Sequence, residues 1–585
     1  MFCIFFLSPY QRLSAVDEDT GPYFSISILA PNTSLARNQW ASLMVELLPS
    51  IGIGVDVFDY TGWNKISPRT WGYPGPYPVP TYAEGGFDIL FVSWSWGLDW
   101  DPTGLYDSPA ITPNGDNFYQ YSNPAMDQAI ESYTSSFLLE DKITYCKTIQ
   151  ALLYEDLPQI SLIYPVSVYP HQENVNNFEG LLWANEYYPF HEMTIENQTT
   201  FHYATPADFE DFHIHTYESP YDAQWLHQIY NGLLERDPNL GNGYGPWLAE
   251  SVSSTDGLAY HVKIKNEACW ADGTALTTDD IIYNYQLAVT PALGGTGYSN
   301  NVLYWDNDSI TKINDKEFTI EFLQKYVFQD GNLALDLIPE HIWGAIDPAD
   351  HQTTVVTWVE DNPERILGAG PYMLENYNGT TGIIHLVANP HFVDWFGAEP
   401  SFEDIYFEFY SNKDGALSAL ASDVIDMVDA QFSPRLEELN ISGLSYTLVD
   451  DPGTQEMGIN MMHPYLGTGE LCPIAGAESA KHIRKAISHL VPREIICEDI
   501  LNGLGIPATT GCPITAVGYD SSLLPYEYDI NMAKYHMAQA GFDIDWSPYD
   551  VINFDTKLAI GLSITIIVLV FALLVGGLIF SNKKS

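Results

Sequence analysis

Phe87–Pro102, FDILFVSWSWGLDWDP, is the stretch from which the fold can be read. Its first seven residues form an apolar run, Phe87-Asp-Ile-Leu-Phe-Val-Ser93, which predicts a buried strand. At the strand's end come three tryptophans and two acids: Trp94, Trp96, Asp99, Trp100 and Asp101, before Pro102 closes a turn. Aromatic walls with one or two fixed carboxylates at a strand's carboxyl end suit a pocket for an organic, cationic ligand. Core tryptophans beside an Asp-Pro turn are the alternative reading.

Working outward, Tyr23–Leu29 alternates as a strand, Leu35–Leu48 carries apolar residues at helical spacing, and Ile51–Phe58 reads as a second strand. Together they predict a β-α-β unit. Downstream, Asn123–Leu139 and Asp141–Glu155 read as helices, the first opened by an Asn-Pro cap, and Gln159–Val168 as a strand. A further α+β region starts at Phe201. It holds helices over Asp222–Leu234, Asp414–Leu420, Ala480–Leu490 and Ile530–Gln539, the last stopped by Gly541. Thr277-Thr-Asp-Asp280 caps another helix, and Tyr260–Lys265, Glu317–Phe322, Ile383–Ala388 and Ile405–Phe409 read as strands. No repeat of 20–50 residues is visible. The pattern predicts an α/β chain of lobes with a ligand between them.

The chain of 585 residues is long enough for several cores, and 46% hydrophobic content argues against disorder. Acids outnumber bases 76 to 23, a net charge of −53. That argues against nucleic acid or an anionic bilayer as a partner of the main body. Leu558–Phe580 is an uncharged apolar run long enough to span a bilayer, and Lys583 and Lys584 follow it. The positive-inside rule then predicts a single-pass membrane protein, with the bulk extracellular and the C-terminus cytoplasmic. Met1–Leu7 is apolar but lacks a basic region, so residues 1–20 make a poor signal-like leader. Six cysteines without a CxxC give no zinc-ribbon signal; a Cys472–Cys512 bridge is open, and Cys269 stands alone. Five N-x-S/T triplets, at Asn32, Asn197, Asn307, Asn378 and Asn440, fit a glycosylated exterior.

Several segments in order resemble a known family. They are Tyr230-Asn-Gly-Leu-Leu-Glu-Arg-Asp237, Pro246-Trp-Leu-Ala-Glu250, Trp270-Ala-Asp-Gly-Thr-Ala-Leu-Thr-Thr-Asp-Asp-Ile-Ile282, Gly368-Ala-Gly-Pro-Tyr372, Asn389-Pro-His-Phe392, Ser422-Asp-Val-Ile-Asp426 and His482-Ile-Arg-Lys-Ala-Ile487. Together they are similar to the family 5 extracellular solute-binding proteins, the oligopeptide-, dipeptide- and nickel-binding receptors of ATP-driven (ABC) importers. The resemblance implies a two-lobe periplasmic-binding-protein-like fold of type II with an extra small domain. Within these motifs Gly273 and Gly370 are expected as turn glycines with positive φ, and Arg484 and Arg493 as holders of carboxylates.

The order of the segments departs from the family. There the β-α-β unit and the aromatic-acid stretch follow the helix ending here at Ala540-Gly541-Phe542; in this chain they come first. Two arrangements account for that: a circular permutant joined near residues 185–205, or halves of two copies from a tandem protein. A permutant requires residue 23 to lie near residue 545 in one lobe. The division expected is a ligand-binding lobe from 21–165 and 456–545, a hinge lobe from 166–239 and 368–455, and a small domain at 240–367. A stalk at 546–557, the membrane helix at 558–580 and a tail at 581–585 complete it.

The resemblance implies a receptor, and the Leu558–Phe580 run makes it a membrane-anchored one. It would capture peptides or other amine-bearing solutes and deliver them to an ABC transporter permease, with no catalytic residue, no cofactor and no resident metal. In peptide-binding members an acid after a Gly-Trp at this strand end receives the ligand's ammonium group. Ser93-Trp94 takes that place here, Asp99 is the best match to the acid, and Asp101-Pro102 matches the acid-Pro that follows; the spacing is shifted by about one residue, so Asp99 and Asp101 are both candidate anchors, and Trp94, Trp96 and Trp100 would wall the site. An anchored surface protein using the fold as sensor, enzyme or structural component is the alternative. Tyr82 and Trp395 are lesser wall candidates, and His213-Ile-His215 is a lesser metal candidate because no third ligand has diagnostic spacing. No G-x-S-x-G, HExxH or P-loop occurs.

Overall fold

The computed structural model describes residues 21–178, 189–237, 239–241 and 243–547. The leader, most of the stalk, the 558–580 run and part of the expected junction lie outside the described residues. Among the described residues no helix is long and apolar enough to cross a membrane.

The β-α-β unit forms as its periodicity dictates. Strand β1 (Phe24–Pro31) leads to helix Leu35–Leu47, capped by the Ser34 hydroxyl, which accepts from the Arg37 N–H at 3.3 Å, and then to β2 (Ile53–Thr61). β1 runs parallel to β2 and also to β3 (Ile89–Ser95), the strand of the aromatic-acid stretch. Helices Pro124–Thr134 and Leu139–Asp156 precede β4 (Gln159–Gln172), which is longer than its apolar run suggests. β3 is completed on its other side by Gly453–Ile459, with Phe91 opposite Met457.

A single mixed twelve-stranded sheet runs through the molecule. The first part of β4 pairs with Gly453–Ile459 and the later part with Leu444–Asp450. Beyond β4 the sheet continues through Met427–Val428, Thr200–Thr205, Asp404–Phe409, Ile383–Ala388 and Tyr372–Asn378. Each half has its own core. Ile28, Ile89, Ile160, Met457, Ile483 and Met537 meet in one; Phe201, Tyr203, Trp225, Tyr372, Ile405 and Phe407 meet in the other. Each such buried side chain contributes about 1.5–3 kcal/mol relative to exposure. β4 and the segment 444–459 are the strands that cross between them. A separate four-stranded antiparallel sheet, 249–254, 259–264, 317–321 and 310–314, carries a third core around Trp270, Ile281 and Trp305.

The first and last described parts of the chain complete one core. The Tyr23 ring lies 5.0 Å from Phe542, Phe24 lies 5.7 Å from the same ring, and the Tyr23 hydroxyl donates to the Asp543 carbonyl.

Several expectations are corrected. The helix expected over 222–234 spans Pro220–Ile229 and gives way to a strand at Leu234–Arg236, because Tyr230 turns extended where the chain passes Gly368 and Gly370. Gly370 does not need positive φ. A Cβ there would fall 2.5 Å from the Gln228 carbonyl oxygen, so close approach of two backbones is the constraint; Gly273, at φ +82°, does need the freedom. Arg484 and Arg493 are buried and donate mainly to main-chain carbonyls rather than carboxylates: Asp156 and Leu466 for the first, Ser161, Ser488 and Tyr526 for the second. Burial pushes both guanidinium groups down to about 10. Cys472 and Cys512 are free thiols, and Cys512 lies beside Cys146 rather than Cys472. All five sequon asparagines are exposed.

Candidate functional site

β3 ends against the crossing segment 444–459. Trp94 pairs with Thr454 across the ladder, and the Trp96 N–H donates to the Pro452 carbonyl at 2.9 Å. Both indoles are half-buried and pinned through their Nε1 donors, Trp94 to Glu456 Oε1 at 3.1 Å and Trp96 to Thr454 Oγ1 at 3.4 Å. The rings form one aromatic surface with Trp71, which stands edge-on to Trp94 at 6.4 Å. Trp100 differs. It is 1% exposed and packs on Tyr133, so it belongs to the core beneath the site and not to its wall. Trp100 lies past the end of β3, beyond a turn in which Gly97 takes φ +61°.

The two acids also separate. Asp101 holds its own turn, accepting from the Thr103 N–H at 2.9 Å and from the Tyr326 hydroxyl at 3.4 Å. Asp99 reaches across to the strand pair 234–236 and 244–246. Its Oδ2 accepts from Arg236 Nη2 at 3.0 Å and from the Tyr244 hydroxyl at 2.8 Å. The Arg236 guanidinium lies over the Tyr244 ring at 4.3 Å, so a cation-π contact orients the donor. Side-chain exposures of 22% for Asp99 and 18% for Arg236 make this a largely, but not fully, desolvated ion pair.

Arg236 and Tyr244 also line a cavity of about 340 Å³, together with Trp247, His227, Glu235 and Asp336. Charges converge in it. Burial alone would lower the His227 imidazole, but Asp336, 3.5 Å away, holds it well above its ordinary range. Burial, reinforced by Asp336, lifts Glu235 to about 7, although the Gly232 N–H donates to it at 2.9 Å and the Asn231 amide at 3.1 Å. Beneath Trp94, burial likewise raises Glu456 to about 7 against the donors Tyr119 and Trp94. Among the described residues its Oε2 has no hydrogen-bond partner, which suits a neutral carboxyl.

The remaining candidates are structural. Tyr82 donates to Asp59 at 3.0 Å, and Trp395 is 6% exposed in the third core. His213 and His215 are buried, and His213 Nε2 lies 3.2 Å from His351 Nδ1. Sequence reasoning missed Arg236 and Tyr244 because nothing local marks which acid they serve; the place of Arg236 within the first family-like motif was a signal, and Tyr244 lies outside the motifs.

The architecture is an α/β, periplasmic-binding-protein-like fold. The chain belongs to the bacterial extracellular solute-binding proteins, family 5, whose middle-region model matches residues 243–566, more than half of the sequence. That family consists of solute-binding proteins rather than enzymes. Among curated proteins, the oligopeptide-binding protein AppA of Bacillus subtilis is 26% identical over 325 residues, 54% of this chain and 54% of that protein. A dipeptide-binding protein of Lactococcus lactis is 23% identical over 372 residues, 58% of this chain and 63% of that one. The chain thus spans about half to two thirds of the length of these relatives. The solved structure of B. subtilis AppA with a nonapeptide aligns at 20% identity and a TM-score of 0.40, covering 60% of this chain and 67% of that one.

Proposed function

We propose that this protein is a receptor that captures peptides or similar amine-bearing solutes between two lobes and hands them to an ABC transporter permease. Its wall is Trp94 and Trp96, and its ammonium anchor is Asp99. The observation that carries this is the Asp99–Arg236 pair. A carboxylate just past the end of β3 is held by a cation that itself lines the cavity, on a strand pair packed into the third core. A ligand ammonium would take the place of that guanidinium. Asp101, engaged in its own turn, is the poorer anchor. The crossing strands, β4 and 444–459, would act as the hinge between a ligand-binding lobe and a hinge lobe, with the 249–321 sheet as the small extra domain.

The same reading takes the chain as a circular permutant tethered through Leu558–Phe580. What supports the first is the contact of Tyr23 with Phe542 and Asp543, and the insertion of β1–β3 beside Gly453–Ile459 in one sheet. What supports the second is the uncharged run itself.

The test is mass spectrometry of solutes released from the purified extracellular part, for wild type and Asp99→Asn. A peptide-like load that disappears in the variant is the expected result. A wild type without any such load, or an Asp99→Asn protein carrying the same load, overturns the reading.

A further inference from the structure

Away from this cleft, two turns distant in sequence bring Cys269, His391 and Asp394 together. One ligand atom from each lies within 4.8 Å of the other two. We infer that these three residues form a site for a borderline divalent cation of the Zn2+ type, with water as the fourth ligand. The ion would clip the turn after strand 259–264 to the turn after strand 383–388.

The donor set fits. A thiol, an imidazole and a carboxylate are the protein ligands Zn2+ takes, and three of them with one water complete a tetrahedron. Bonds of about 2.0–2.3 Å place tetrahedral ligands roughly 3.5 Å apart, so closure from within 4.8 Å asks for a change of about 1.3 Å or less in any pair. His391 Nδ1 and Asp394 Oδ2 are already 3.0 Å apart.

Both turns are held in place independently of any ion. The first is tied by the Trp270 N–H to the Thr274 carbonyl and by Gly273 at φ +82°, where a Cβ would come within 3.1 Å of His391 Nε2. The second is tied by the Asn389 amide to the Gly370 carbonyl at 2.8 Å and by Phe392, which is fully buried. Cys269 is 9% exposed, and among the described residues its sulfur makes no hydrogen bond. His391 and Asp394 open to solvent and leave a path for an ion.

The test uses the full chain, with thiols kept reduced and metals stripped by a chelator, titrated with Co2+ as a spectroscopic stand-in for Zn2+. The expected result is one equivalent of tetrahedral Co2+ with a thiolate-to-cobalt charge-transfer band, displaced by Zn2+. The band vanishes in Cys269→Ser, and affinity falls at least tenfold in Asp394→Asn, an exposed change that leaves the fold alone. Cys472→Ser keeps the band. Absence of a charge-transfer band in wild type, or its survival in Cys269→Ser, overturns the proposal. Neither readout involves solute capture, so the result stands apart from the receptor reading.

Discussion

Arg236→Met isolates the step on which the receptor reading turns. The substitution keeps an unbranched stem over the Tyr244 ring and removes the charge that holds Asp99 at 3.0 Å. A hydrogen bond to a charged group contributes about 1.5–3 kcal/mol net. With about a fifth of each partner accessible, the low end applies, about 1.5 kcal/mol, which is roughly tenfold in an equilibrium constant. A ligand ammonium must displace the guanidinium in wild type and need not do so in the variant. Arg236→Met is therefore expected to bind a free-amine peptide about tenfold more tightly. Asp99→Asn, which leaves neither partner a carboxylate, is expected to bind it at least tenfold more weakly. Isothermal titration with one peptide and its N-acetylated form reads both effects, and the acetylated form should respond to neither change. If Arg236→Met weakens free-amine binding as Asp99→Asn does, the guanidinium itself contacts the ligand and the displacement reasoning fails.

Glu456, raised by burial to about 7 from an ordinary 4.5, holds its proton more tightly when folded. Its stabilising contribution is full below about pH 4.5 and is lost as pH rises through 7, a change of ~3 kcal/mol at about 1.36 kcal/mol per pH unit. Glu456→Gln should flatten that slope in melting curves between pH 5 and 8; an unchanged slope would assign it elsewhere. Gly368→Ala places a Cβ 1.9 Å from the Ile229 carbonyl oxygen and should cost about 3 kcal/mol or more, read as a lost or sharply lowered melting transition. Relinking the chain so that it begins at residue 189, with 547 joined to 21 by a short glycine-serine linker, should preserve the fold. Circular dichroism and a melting midpoint within a few degrees of the parent are the expected outcome, and a chain that fails to fold would count against the permutant.

Local rules were legible from residues a few positions apart. The β-α-β unit over 24–61, the helix Ile530–Gln539 and the Thr277–Asp280 capping box follow from side-chain period and cap chemistry within one turn. The family-like motifs were legible for the same reason, since each is written in four to thirteen consecutive residues. Even Trp94 and Trp96 at the end of β3 could be placed by strand periodicity. Trp100 could not, because whether a residue past a strand lines a wall or a core depends on which way the following turn folds back.

The partners across the molecule were decided by tertiary structure alone. Nothing near Asp99 names Arg236, nothing near Cys269 names His391, and nothing near His213 names His351. The wrong roles expected for Arg484 and Arg493 have the same origin, since a guanidinium reports a need for acceptors and not whether a carboxylate or a carbonyl will meet it. Backbone hydrogen bonds and side-chain alternation are settled within a few residues of the chain. Which distant groups share a site is settled by how separate segments pack on one another. Here that packing sets Phe24 against Phe542 and brings Asp99 to Arg236 on the strand pair 234–236 and 244–246.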